Sequence, residues 1–300
     1  MELHFAVQFI KFISRNFYVI SLVCLGFCIT GCEPNPRPTA PCSSEQLTPG
    51  LHQCGFWVDD NLRWYEIYIP TDAGNAALPL VVDLHGAASP ITFGSSAQRF
   101  AVSHFDITAE KYKFVVIWPQ GINMIWLNDQ KFVLDLIAEI QQLLNINARK
   151  IYATGVSNGG AFSQDFGCNH ADVFAAVAPV AAPVARVFPC GPSNPMPVFT
   201  VHAATDWLVA YKGTPLFLSA PETFELWSEV DGCVDEAEVV LQQGGSTCWL
   251  HDNCNGGVQV KTCKIDSHGL FLGGHLPYMN NDGLNISEMI WQFFDQYERY

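Results

Sequence analysis

Residues 151–160, IYATGVSNGG, limit the folds open to this chain more than any other stretch. Ile151, Tyr152, Ala153 and Thr154 have strand character, the glycine-rich run from Gly155 to Gly160 ends the strand, and AFSQDFGCNHADVF after it reads as a helix. A strand that turns into a helix within so few residues forces the residue at the bend into a strained backbone. Only small residues two before and two after it keep strand and helix from colliding. Gly155 and Gly159 fill those places around Ser157. Ser157 is therefore expected at the tip of an elbow on the carboxyl edge of a sheet. The pentapeptide alone also occurs by chance in glycine-rich loops, and it is the strand before and the helix after that favour the elbow.

The remainder alternates short apolar runs with helical stretches. Strands are expected at 64–69, 80–84, 114–118, 151–154, 175–180 and 198–202, with a last one near 269–272; helices are expected at 95–112, 129–144, 160–169, 221–230 and 285–300. In 129–144, Phe132, Leu136, Ile137, Ile140 and Leu143 are spaced for one buried stripe. Near-continuous apolar strands alternating with helices predict the α/β class, a mostly parallel sheet covered by helices on both faces.

The first 32 residues stand apart. Lys11 and Arg15 precede an apolar run over 17–29 that is short for a membrane span and reads as an export signal. The run ends Ile29-Thr30-Gly31-Cys32, which resembles a bacterial lipobox, with Cys32 as the lipidated residue; an ordinary secretory signal is the alternative. Residues 33–55 then read as a Pro-rich tether with an N-terminal cysteine segment, and 56–300 as the catalytic domain. A membrane is expected only through such an anchor. A net charge of −14 argues against a nucleic-acid partner, because phosphate backbones are bound by clusters of Lys and Arg.

Serine is a weak nucleophile unless a base takes its proton and an acid orients that base. Behind an elbow serine on a parallel sheet, the acid comes first along the chain and the histidine second. Asp206, in HAATDWLV, lies just past a buried strand, and His275, in FLGGHLP, lies in a glycine-rich loop before the last helix. The rivals His170, His251 and His268, and the aspartates Asp231 and Asp266, sit at helix ends, turns or among cysteines. An oxyanion also needs donors. The run LPLVVDLHGAAS supplies them where an early strand ends, so Ala87 N–H and Asn158 N–H are the expected pair, with His85 structural.

Of eleven cysteines, Cys24, Cys28 and Cys32 fall in the leader. The other eight, an even number in an exported chain, read as disulfides. A zinc site from Cys248, His251, Cys254 and Cys263 is the competing reading.

LVVDLHGA, VVIWPQG, RKIYATGVSNGG, DVFAAVAPVAA, HAATDWLVAYKG, DGC and GGHLP, in this order, resemble the polyhydroxybutyrate-depolymerase and feruloyl-esterase group of exported α/β-hydrolases, over 57–300. The resemblance implies an α/β-hydrolase fold and hydrolysis of carboxylic esters; the expected substrates are polymer-linked esters or their fragments, either a polyhydroxybutyrate-type polyester or a feruloylated or acetylated polysaccharide. It also implies a triad of Ser157, Asp206 and His275, no cofactor, and a disulfide from Cys233 to a later cysteine. With proximity in the chain, it suggests the pairs Cys42–Cys54, Cys168–Cys190, Cys233–Cys254 and Cys248–Cys263. Ala203 stands where the group commonly has glycine, and Leu276 where it has tryptophan. The connection from Val180 to Pro197 leaves no room for a lid domain, so an open site is expected, with Trp126, Trp207 and Leu276 as its substrate rim. A serine peptidase on the same fold and a non-catalytic binding module are the alternative readings.

Overall fold

In a computed structural model of the chain, residues 37–299 are described, except 73, 75, 88–94, 187–189, 192–193 and 271–272. The expected export signal and Cys32 lie outside these residues, as does the start of the tether. Contacts within the chain separate Met1–Arg37 from Pro38–Tyr300, and every element named below belongs to the second unit.

Strands buried on both faces need continuous apolar sequence, and five of the expected runs form the middle of the sheet. They are β3 (Leu78–Leu84), β4 (Val115–Pro119), β5 (Ile146–Val156), β6 (Ala176–Val180) and β7 (Val198–Ala203). With β1 (Gly50–Val58), β2 (Asn61–Ile69), β8 (Glu238–Gln243), β9 (Ser246–His251) and β10 (Val260–Ile265), they make a ten-stranded sheet in the order β1-β2-β4-β3-β5-β6-β7-β10-β9-β8. The stretch from β4 to β10 is parallel, and an antiparallel pair borders it on each side. All parallel strands therefore end on one edge. The domain boundary expected at residue 56 falls inside β1.

Helices α1 (Phe105–Tyr112), α2 (Gln130–Leu143), α3 (Asn158–Asn169), α4 (Ala220–Val230) and α5 (Ile286–Phe294) cover the sheet. One core packs Phe132, Leu136 and Ile140 of α2 with Phe162 and Phe166 of α3 and Trp227 of α4. The other packs Phe105, Phe114 and Tyr152 with Ile290, Trp291 and Phe294 of α5. Here Trp291 stacks on Phe114 at 4.0 Å and Phe294 on Tyr152 at 4.7 Å. Each such ring contributes about 1.5–3 kcal/mol by leaving water, so the sheet is clamped from both sides.

Two expected elements are corrected. The last parallel strand is β10, where Lys261, Thr262 and Lys264 interrupt the apolar residues; of the strand expected near 269–272, Gly269 lies in a turn and 271–272 lie outside the described residues. The helix expected over 95–112 is broken: a π-helical segment, Gln98–Ser103, ends at His104, whose φ of 51° is left-handed, and α1 starts afterwards. The sequence reading also lacked the hairpin of β8 and β9: the apolar run of β8, Val239-Val240-Leu241, is only three residues long and is exposed along most of the strand. Disulfides join Cys42–Cys54, Cys168–Cys190, Cys233–Cys254 and Cys248–Cys263. The last spans directly paired positions of β9 and β10. With Cys248, Cys254 and Cys263 so engaged, the zinc reading fails; among the described residues no cluster of ligands is placed to hold a metal ion.

Candidate active site

Ser157 sits between β5 and α3 with φ 57° and ψ −120°. A non-glycine residue there costs on the order of 1–3 kcal/mol and persists only where its surroundings enforce it. Its N–H donates to Val180 O at 2.9 Å, and its carbonyl accepts from Ala161 at 2.9 Å. The flanking glycines are required by space: a Cβ on Gly155 would stand 2.5 Å from Leu84 O, and one on Gly159 2.1 Å from the same atom. Strand, bend and helix thus bring Ser157 to the carboxyl edge of the sheet.

On the same edge, β7 leads into Asp206, which is 5% exposed. Its Oδ1 accepts from the Leu208 and Val209 N–H groups, both at 2.9 Å. Its Oδ2 lies 2.7 Å from His275 Nδ1 and 3.2 Å from His202 Nε2. Burial pushes the carboxyl up, but the donors His202 and His275 outweigh it and hold it down at about 2. The carboxylate is therefore ionised and accepts from Nδ1–H, which fixes the His275 tautomer and leaves Nε2 as the basic nitrogen. The loop that carries His275 turns at Gly273, where φ is +69° and a Cβ would lie 2.0 Å from the Trp207 ring. Glycine is what lets the indole pack there.

The third wall is the segment after β3. His85 is 1% exposed, and burial pushes it down to about 4, so it is neutral. Its Nε2 accepts from Gly121 N–H at 3.0 Å, so Nδ1 donates to Gly86 O at 2.7 Å. His85 O accepts from Trp126 Nε1 at 2.8 Å. A Cβ on Gly86 would lie 3.5 Å from Ser157 Cβ, which brings the segment leading into Ala87 against the serine. Asn158 opens α3, where the first N–H groups have no partner within the helix. Its side chain accepts from Trp126 N–H at 2.7 Å and donates to Trp126 O at 3.2 Å. Arg63 holds the same loop from below, donating to Asp129 Oδ1 and Gln120 O, each at 2.7 Å.

The expected rim is corrected in part. Trp207 is 62% exposed, but Trp126 and Leu276 are buried. Trp126 is spent on His85 and on packing against Phe162, so it offers no face to a ligand. Sequence reasoning missed Ile122 and Leu127, which are exposed on the loop that bonds His85 and Asn158; the signal was an apolar run, INMIWL, whose one short 3-10 turn, Ile122–Met124, buries none of its residues. It also missed His202 as a neighbour of the acid.

No family model matches the chain. Feruloyl esterase B of Piromyces equi is 30% identical over 244 residues, covering 75% of this chain and 43% of that protein. A bifunctional acetylxylan esterase/xylanase of Neocallimastix patriciarum is 26% identical over 243 residues, 78% of this chain and 33% of that one. A probable feruloyl esterase C of Aspergillus niger is 26% identical over 275 residues, 88% and 90% of the two chains. The chain thus spans less than half the length of the first two relatives. Among solved structures, an acetyl xylan esterase from Aspergillus awamori superposes with a TM-score of 0.56 at 14% identity, covering 82% of this chain and 99% of that one. A thermostable esterase gives 0.54 at 15% identity, with 83% and 63% covered. The chain has the α/β-hydrolase fold, and in sequence it is similar to the feruloyl-esterase-like group.

Proposed function

We propose that the chain is an exported serine hydrolase of carboxylic esters, acting on esters borne by polysaccharide or on their fragments. The observation that carries this reading is the 2.7 Å contact between His275 Nδ1 and an ionised Asp206, on the sheet edge that bears the strained Ser157. His275 Nε2 takes the Ser157 proton as Oγ attacks the ester carbonyl. The N–H groups of Ala87 and Asn158 hold the oxyanion, and the alcohol leaves with the proton from His275. Water, activated by the same nitrogen, then releases the acid. Asp206 stays charged throughout and stabilises the imidazolium. No step requires a cofactor.

The names of the relatives, feruloyl and acetylxylan esterases, favour a polysaccharide-linked ester over an aliphatic polyester. Exposed Trp207, Ile122 and Leu127 suit an open site that accepts a bulky polymer. The leader and four disulfides favour export.

Initial rates on methyl ferulate, acetylated xylan, p-nitrophenyl butyrate and a polyhydroxybutyrate suspension test the reading, with Ser157→Ala as control. Serine-dependent turnover, highest on the first two, is the expected result. A faster rate on the polyester would move the substrate class, and full activity in Ser157→Ala would end the mechanism.

A further inference from the structure

His202, next to the last residue of β7, is 3% exposed, and no step above uses it. Its Nε2 lies 2.8 Å from Val209 O and 3.2 Å from Asp206 Oδ2. Both neighbours are acceptors, a carbonyl and an ionised carboxylate, so Nε2 carries the hydrogen and donates. Val209 holds Asp206 Oδ1 with its own N–H at 2.9 Å. The turn after Asp206 therefore closes on itself: Val209 N–H grips one carboxylate oxygen, Val209 O takes the imidazole N–H, and that N–H also reaches the other oxygen. The Tyr211 ring packs T-shaped with the His202 ring at 5.6 Å, and Lys264 is the register partner of His202 on β10. The groups around His202 are thus Asp206 and, through it, His275, with Tyr211 and Lys264 beside them.

We propose that His202 is a positioning residue of the esterase machinery, fixing the Asp206 carboxylate so that Oδ2 meets His275 Nδ1; the inference rests on the serine-hydrolase reading above. Without His202, Oδ2 keeps a single donor, His275 itself, and only the Leu208 and Val209 N–H groups on Oδ1 resist rotation of the carboxylate away from the line that orients the base. A site held this loosely loses rate more than binding. The alternative is a histidine that only satisfies Val209 O and keeps the turn folded.

A double-mutant cycle separates the two. kcat and KM on p-nitrophenyl butyrate are measured for His202→Ala, His202→Gln, His202→Asn, Asp206→Asn and His202→Ala/Asp206→Asn, with Ser157→Ala as blank. If His202 acts through Asp206, His202→Ala lowers kcat about 30-fold with KM within about twofold, as loss of a hydrogen bond to a charged group implies. In the Asp206→Asn background the same change costs less than about threefold. His202→Gln, whose amide nitrogen reaches the place of Nε2, restores most of the rate; His202→Asn, whose amide falls at Nδ1, does not. Additive losses, an unchanged kcat in His202→Ala, or equal rates in His202→Gln and His202→Asn would overturn the proposal. Should His202→Ala fail to melt as a folded protein, the Gln and Asn pair carries the comparison alone. Wild-type activity in Ser157→Ala would instead remove the Ser157 mechanism on which the inference rests, whatever the His202 variants do.

Discussion

Asp206 and Asp231 are both removed from water, at 5% and 0% exposure, and their carboxyl groups behave in opposite ways. Asp206, past β7, accepts from two N–H groups and two imidazoles and is held down at about 2. Asp231 ends α4 beside the Cys233–Cys254 bridge. Its Oδ1 accepts from Met196 N–H at 2.9 Å, its Oδ2 has no protein partner, and burial pushes it up to about 7. The difference teaches that burial alone does not make a catalytic acid. Burial always favours the neutral form, and the number of donors decides whether that preference is reversed. Asp206 is ionised well below neutral pH, whereas Asp231 keeps its proton up to about pH 7. Asp231 instead closes a corner, its carbonyl accepting from Asn255 N–H at 2.8 Å.

The contrast can be broken at several points, beginning with the largest effect. Asp206→Asn should lower kcat about 10⁴-fold, because the amide presents a donor to the wrong tautomer of His275, whereas Asp231→Asn should stay within about twofold; steady-state rates on one ester decide this. A loss in Asp231→Asn like that in Asp206→Asn would erase the distinction.

Stability against pH gives the next effect. Asp231 has a folded pKa of about 7, above its unfolded value of about 3.9. The folded state therefore binds the extra proton, and its contribution declines as pH rises from about 4 to about 7. Asp231→Asn removes that decline, so at pH 8 the variant should be more stable than wild type by on the order of 4 kcal/mol, with the advantage gone near pH 4. Denaturant melts at the two pH values measure it. For Asp206 the sign reverses. Its folded pKa of about 2 lies below the unfolded value, so its contribution is complete above about 4 and lost as pH falls through 2. That loss amounts to about 2 kcal/mol in wild type and is absent in Asp206→Asn.

The middle of the sheet and the elbow were legible in the sequence because one physical demand dominates each residue there. Strands buried on both faces must be apolar throughout, and Gly155 and Gly159 have no substitute where a Cβ would overlap Leu84 O. Asp206 and His275 could be picked out by their places after a buried strand and in a glycine-rich loop. Legibility ended where the controlling contact is distant in sequence. β10 hid behind Lys261 and Lys264, since its register is set by β7 and β9 on either side. The break at His104 has no local mark. It is braced by Asp83, which accepts from Gln98, Ser103 and Trp118. Trp126 looked like a rim residue because its composition suits one, yet its indole N–H is taken by a carbonyl from a different loop, His85 O.

Covalent capture by a fluorophosphonate tests the central claim most directly, because it reads the nucleophile without any assumption about the ester. Intact-mass and peptide analysis should find one adduct, on the peptide that contains Ser157. Labelling should be absent in Ser157→Ala, slowed more than about 100-fold in Asp206→Asn, and unchanged in Asp231→Asn. A folded wild-type protein that takes no label, or takes it on another residue, would contradict the account.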